Sequence, residues 1–238
     1  MDSSDERNCI EICKQAMALA QRLLALDFET NGVMDRKHRP LPWSNFPVSV
    51  AVYAVSASGD VAPLFSSRIS GATAFNEWAS AHHPFTPQDL QNEPSLAEVI
   101  EKLSELLQPN DIICCHNMQY DLDRCLYESC CRLGISTPSI FNLPRFCTCR
   151  SPWAAEVHGD RWLSLAGLCG MYGVKGTRAH TADGDALALA QCLSKAVMSA
   201  PGQSLGLGER LRAMLAGEPG EPVILLSEYL DEQKKAGS

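Results

Sequence analysis

The 238-residue chain lacks several things that would each have pointed to a different class of protein. No apolar run approaches the roughly 20 residues that a membrane-spanning helix needs. The longest candidate, near 16–26, is broken by Gln21 and Arg22. The start, MDSSDERN, is acidic and has no basic leader. There is no broadly basic region, and the formal net charge is −8, which argues against tight non-specific binding to duplex nucleic acid. An acidic chain can still meet nucleic acid where metal ions neutralise its carboxylates. Eleven cysteines are present, but the pairs Cys114–Cys115 and Cys130–Cys131, and Cys147-x-Cys149, lack the CxxC spacing of zinc ribbons and fingers. Free thiols filling a core are expected instead, in a reducing intracellular compartment, cytoplasmic or nuclear, with no membrane contact.

What is there suits one α/β domain with embellishments. The pattern predicts a helix over 3–20 and then an apolar strand from Leu23. Residues 33–46, with two prolines and many charges, read as a loop. PVSVAVYAV reads as a strand, Gly59-Asp60 as a turn, and VAPLFSS as a partner strand that Pro63 confines to an edge. A short helix is expected within 72–81. SLAEVIEKLSELL has a Ser95/Glu98 capping box and an apolar face through Leu96, Val99, Ile100, Leu103 and Leu107. DIICC reads as a buried strand feeding a helix over MQYDLDRCLYESCCRL that Asn117 caps. Residues 136–160 look irregular apart from a short strand at RFCTC. WLSLAGLCGMYG and ADGDALALAQCLSKAVM read as helices, APGQSLGLG as a hinge, and ERLRAMLAG and VILLSEYLDEQ as short amphipathic pieces. A strand meander followed by interleaved helices and strands predicts a mixed sheet covered on both faces.

The chemistry is signalled at the ends of these elements. In LLALDFETNG, Asp27 and Glu29 stand two apart on a strand and therefore share a face. Two carboxylates that close repel unless a cation or a proton lies between them. Asp121 falls one turn into the helix after DIICC, and Asp183 and Asp185 open the last long helix just after His180. Each alone reads equally as an acid favoured in a first helical turn. As a set they suit phosphodiester hydrolysis, in which two divalent ions about 4 Å apart neutralise the entering and leaving oxygens. Mg²⁺ prefers carboxylate oxygen, and a neutral histidine can take the proton of the attacking water.

LDFETNG, HNMQYD and HTADGDA, in that order, resemble the three motifs D-x-E, H-N-x-x-[FY]-D and H-x-A-x-x-D-A of the DnaQ-like DEDDh 3′→5′ exonucleases. The resemblance covers about 22–198 as the exonuclease domain, leaving 1–21 as an N-terminal helical extension and 199–238 as a C-terminal one. It implies an α/β, ribonuclease H-like mixed sheet with helices on both faces. It assigns metal ligation to Asp27, Glu29, Asp121 and Asp185, with two Mg²⁺ or Mn²⁺ ions, and the general base to His180. Thr30, Asn31, His83, Asn117 and Tyr120 match positions that seat or support the terminal nucleotide. For Tyr120 the plain alternative is packing, for His83 a surface position.

Two departures stand out: Gly184, where many relatives carry an acid or a larger residue, expected to loosen the turn presenting Asp185, and Asn31 in place of the common threonine. Asp183 lies off the motif and reads as a solvated helix-start acid. Arg36, Lys37, Arg39 and Trp43 read as a solvated loop with a capacity to steer a strand. The activity implied is removal of nucleoside 5′-monophosphates from single-stranded 3′ ends of DNA or RNA. The C-terminal pieces either dock a protein partner or fold back on the domain. The alternative from another class is a non-catalytic exonuclease fold serving as a binding or scaffold module.

Overall fold

A computed structural model describes residues 21–32, 44–158, 163–175, 180–203 and 205–218. The helix expected over 3–20, the loop residues Arg36, Lys37, Arg39 and Trp43, and VILLSEYLDEQ lie outside these residues.

Five strands form one sheet in the order β3-β2-β1-β4-β5. They are β1 (Leu23–Thr30), β2 (Pro47–Val55), β3 (Val61–Arg68), β4 (Ile112–Cys115) and β5 (Arg145–Cys147). β1, β2 and β3 pair antiparallel, with a short turn joining β2 to β3, while β1–β4 and β4–β5 pair parallel across helical crossovers. Pro63 lies on edge strand β3, where a missing N–H costs no ladder bond. At its start, β1 is tied to β4 by Arg22, whose Nε and Nη2 donate to the two oxygens of buried Asp111 at 2.8 and 2.7 Å.

The period of two in β1 divides its side chains between two cores. Leu24, Leu26 and Phe28 join one cluster with Leu96, Val99, Ile100 and Leu103 of helix α2 (Leu96–Leu106) and with Leu122, Cys125 and Leu126. Leu23 and Ala25 join the other, with Leu189, Leu193 and Ala196 of the long helix Ala182–Met198. Asp27 and Glu29 continue the second series, so they point toward the face that this long helix covers.

Further elements complete the layers: α1 (Glu77–His82), α3 (Glu128–Leu133), α4 (Pro152–His158), α5 (Leu165–Tyr172), the long helix α6 (Ala182–Met198) and α7 (Leu207–Leu215). The Ser95/Glu98 box caps α2, and Gly173, left-handed at φ 59°, ends α5. Leu207, Leu211 and Met214 of α7 are buried against the second core, so this C-terminal piece folds back on the domain. Cys114, Cys115, Cys125, Cys130 and Cys147 are buried free thiols.

Two local expectations are corrected. The helix after β4 does not begin regularly. Gln119–Tyr127 is π-helical and runs directly into α3, and Asn117 is no side-chain cap: it sits left-handed at φ 77°. A wide π turn is uncommon and recurs at functional sites; here it carries Asp121. Within the stretch expected to be irregular, residues 136–158 are more ordered than their composition suggests, with a 3₁₀ turn at Ser139–Asn142 and helix α4. Trp153 of α4 is fully buried, and its indole N–H donates to the Leu205 carbonyl at 2.8 Å. That tertiary anchor orders a segment with weak local signals.

Candidate active site

Motif residues from three separated parts of the chain meet at the carboxyl end of β1. Ligand oxygens of Asp27, Glu29 and Asp185 lie within 4.8 Å of one another. The sheet supplies the first two on its α6 face. Helix α6 supplies the third from its first turn, where the Thr181 hydroxyl caps by accepting the Gly184 N–H at 3.1 Å. Ala182, Gly184 and Ala186 are buried, and the two alanines pack against Ala51 of β2. The small residues let the helix lie close to the sheet directly beside Asp27, whose partner across the ladder is Ala51. Gly184 thus serves close approach, and α6 runs from Ala182 unbroken.

Asp121 arrives from the other face. It stands outside the tight trio, is 2 % exposed, and its Oδ1 accepts the Phe28 N–H at 3.3 Å. It is close enough to raise Asp27, and it is itself raised by Glu29 and Asp185. Burial comes first for all four acids. It pushes Asp27 and Asp121 well above the carboxylate range, Glu29 to about 8, and Asp185 upward against the opposing hydrogen bond from His180. Mutual repulsion adds to this for Asp27, Glu29 and Asp121. Buried acids crowded in this way call for positive charge, and an oxygen-only donor set fits a hard divalent cation such as Mg²⁺ or Mn²⁺.

His180 lies at the rim, exposed and left-handed at φ 64°. Its backbone N–H donates to Asp185 Oδ2 at 3.2 Å, which ties the rim residue to a cluster carboxylate. The hydroxyls of Thr30, at the end of β1, and Tyr120 share a hydrogen bond of 2.6 Å. His83 is buried, with Nε2 at 2.7 Å from the Thr30 carbonyl. Burial lowers its pKa first of all, and because a carbonyl only accepts, Nε2 is the donor in this bond. Asn117 sits in the turn that leads to Tyr120, and its carbonyl accepts the Tyr120 N–H at 2.8 Å. Asn31 is built into the protein: its Oδ1 accepts the Phe46 N–H and its Nδ2 donates to the Ala74 carbonyl.

Some residues escaped the sequence reading. Asp183 is exposed but not merely solvated, because the Tyr53 hydroxyl donates to it at 2.7 Å and pins the start of α6 to β2. Trp78 and His82 of α1 stand beside His180. The doubled histidine in HHPF was the signal for His82; no local feature singled out Trp78.

The sequence and its fold both have counterparts among known proteins. Residues 24–193 match the exonuclease family. The chain belongs to that DnaQ-like family. This exonuclease domain also shares its fold with solved structures. Exonuclease X in complex with 5′-overhanging duplex DNA aligns at TM-score 0.53 and 18 % identity, over 79 % of this chain and 99 % of that one. Exonuclease I of E. coli in complex with a dA16 oligonucleotide aligns at TM-score 0.60 and 17 % identity, over 81 % of this chain. The chain spans only 43 % of the exonuclease I chain. At such identities the likeness is one of fold. No curated protein matches the sequence. Membership makes the chain a nuclease of the exonuclease type, and divalent metals are general in the family. No helix among the described residues is long and apolar enough to cross a membrane.

Proposed function

We propose that this exonuclease works in the 3′→5′ direction on single-stranded ends of DNA or RNA and releases nucleoside 5′-monophosphates. The observation that carries the reading is the trio Asp27, Glu29 and Asp185, with ligand oxygens within 4.8 Å and His180 bonded through its backbone to the third. Asp27, Glu29, Asp121 and Asp185 would hold two Mg²⁺ or Mn²⁺ ions. Bound there, the ions would supply charge neutralisation for the entering and departing oxygens of the phosphodiester.

The remaining roles belong to the chain's own side chains. His180, at the exposed rim, accepts the proton of the attacking water. Thr30 and Tyr120, joined through their hydroxyls, form the floor against which the terminal sugar is seated. His83 holds the Thr30 carbonyl in place, and Asn117 shapes the turn below Tyr120. The amide of Asn31 supports this floor from behind by joining the segments at Phe46 and Ala74. In sequence terms the catalytic domain is 22–198, with α7 folded onto it.

The test is digestion of an oligonucleotide labelled at its 5′ end, with single-stranded DNA, duplex DNA and RNA compared in Mg²⁺ and in Mn²⁺. A ladder shortening from the 3′ end, abolished by EDTA and by Asp27→Ala, is expected. Undiminished digestion by Asp27→Ala protein would overturn the assignment. A purified wild-type protein that binds these substrates and cleaves none would favour a scaffold role.

A further inference from the structure

His180 has an unusual mounting. It precedes α6, is exposed, and adopts a left-handed backbone at φ 64° that is unfavourable for a residue with a Cβ. Its main chain is anchored through Asp185, but that hydrogen bond leaves χ1 and χ2 free. Orientation of the imidazole therefore has to come from elsewhere, and two rings of α1 meet it. The His82 ring lies 5.0 Å away at 83°, and the Trp78 ring 5.7 Å away at 85°, both edge-to-face. Aromatic rings favour this edge-to-face geometry, so the two contacts select one orientation of the imidazole.

The two rings form a unit. Trp78 and His82 stack at 4.3 Å and 16°, one helical turn apart. Nδ1 of His82 lies 2.8 Å from the Trp78 carbonyl, so Nδ1 carries the proton and the ring is locked against its own helix. The helix is in turn fixed to the first acidic motif. Asn76 caps α1 through Oδ1, which accepts the Ala79 N–H at 2.8 Å, and its own N–H donates to the Asn31 carbonyl at 3.0 Å. Gly32, at φ 134°, makes that approach possible, since a Cβ there would fall 2.2 Å from Asn76 Cγ. At the far end of α1, His83 closes on the Thr30 carbonyl.

We propose that the Trp78–His82 stack is the positioning device for the His180 imidazole, so that the strand carrying Asp27 and Glu29 also sets, through α1, the aim of the proton acceptor. The inference rests on the reading of His180 as general base. Trp78 and His82 act through His180 and are positioning residues.

Trp78→Ala is expected to lower kcat about ten- to a hundredfold, the scale of a misaimed catalytic group, while KM for a single-stranded oligonucleotide and the Mg²⁺ dependence stay as in the wild type. Trp78→Phe, which restores a ring face, should recover most of the rate. An independent readout is the His180 Cε1–H resonance of the metal-free protein, identified by its loss in His180→Gln. Ring currents should displace it from the free-histidine position, and Trp78→Ala should return it toward that position. A rise in KM with kcat intact would overturn the inference, since the stack would then grip substrate. So would an unmoved resonance with an unchanged kcat. If the wild type proves to have no exonuclease activity, the proposed function falls, and the resonance still decides whether the stack holds the ring.

Discussion

At the scale of single residues, the four acids differ in how they are held, and the difference has consequences. Glu29 is 8 % exposed with a pKa of about 8, far above the 4.5 of a free glutamate. A folded-state pKa above the unfolded one means that the metal-free fold binds the extra proton. Its contribution to stability is therefore present below about pH 4.5 and lost as pH rises toward 8. A divalent cation relieves that loss, so Mg²⁺ should raise the Tm more at pH 8 than at pH 6, measured by thermal unfolding of EDTA-stripped protein. Asp185→Asn should shrink the Mg²⁺ effect at both pH values. His180 makes its contribution to the cluster from the backbone. His180→Ala should thus lower kcat by about 10²- to 10⁴-fold, as expected for loss of a general base, with the Mg²⁺-induced Tm shift retained.

At the scale of elements, the site depends on three junctions: β1 to α1, β4 to the π-helical segment, and β2 to α6. The first turns on Gly32. Gly32→Ala would place a Cβ onto the Asn76 side chain in a left-handed backbone, and a loss of about 2 kcal/mol or more in denaturant unfolding is expected. In the second, the Cys147 sulfur accepts the Met118 and Arg150 N–H groups at 3.4 and 3.2 Å. This ties the end of β5 to the turn that launches Asp121. Cys147→Val leaves these amides without the acceptor and should cost about 1–3 kcal/mol, whereas Cys147→Ser, which keeps an acceptor, should cost less. The third junction is the Tyr53–Asp183 bond with the small-residue contact beneath it. It gives Asp183 a structural role that spacing alone did not reveal.

At the scale of the whole molecule, His116 joins distant parts of the fold. Its Nε2 lies 2.9 Å from the Leu163 carbonyl and its Nδ1 2.9 Å from the Thr148 hydroxyl. Burial depresses its pKa to about 4, so the ring is neutral, donates from Nε2 and accepts at Nδ1. A histidine depressed in the folded state contributes stability above its unfolded pKa of about 6.5 and loses it as pH falls toward 4. Stability should therefore decline by up to about 3 kcal/mol over that window, and His116→Gln should flatten the decline, read from urea midpoints against pH. The C-terminal helix α7 is part of the same body. Leu211 is fully buried, and Leu211→Ala should cost about 2–5 kcal/mol.

Much of this was written locally. Alternation in β1 dictated that Asp27 and Glu29 share a face, Pro63 dictated an edge, and the Ser95/Glu98 signal set the start of α2. The order of three short acidic motifs specified the family. Other features depended on contacts between residues far apart in sequence. The π-helical turn under Asp121 is set where β4, β5 and the first core meet. The order of α4 comes from Trp153 filling the second core. The contacts of Trp78 and His82 with His180 are made by α1, whose cap residue Asn76 lies against Gly32 across the turn. The sequence by itself thus determined which residues carry charge and which face each strand and helix presents, because those follow from periods of two and 3.6. Only the tertiary structure decided which charges meet and which rings hold them, because those distances are fixed by packing between segments that no local pattern relates.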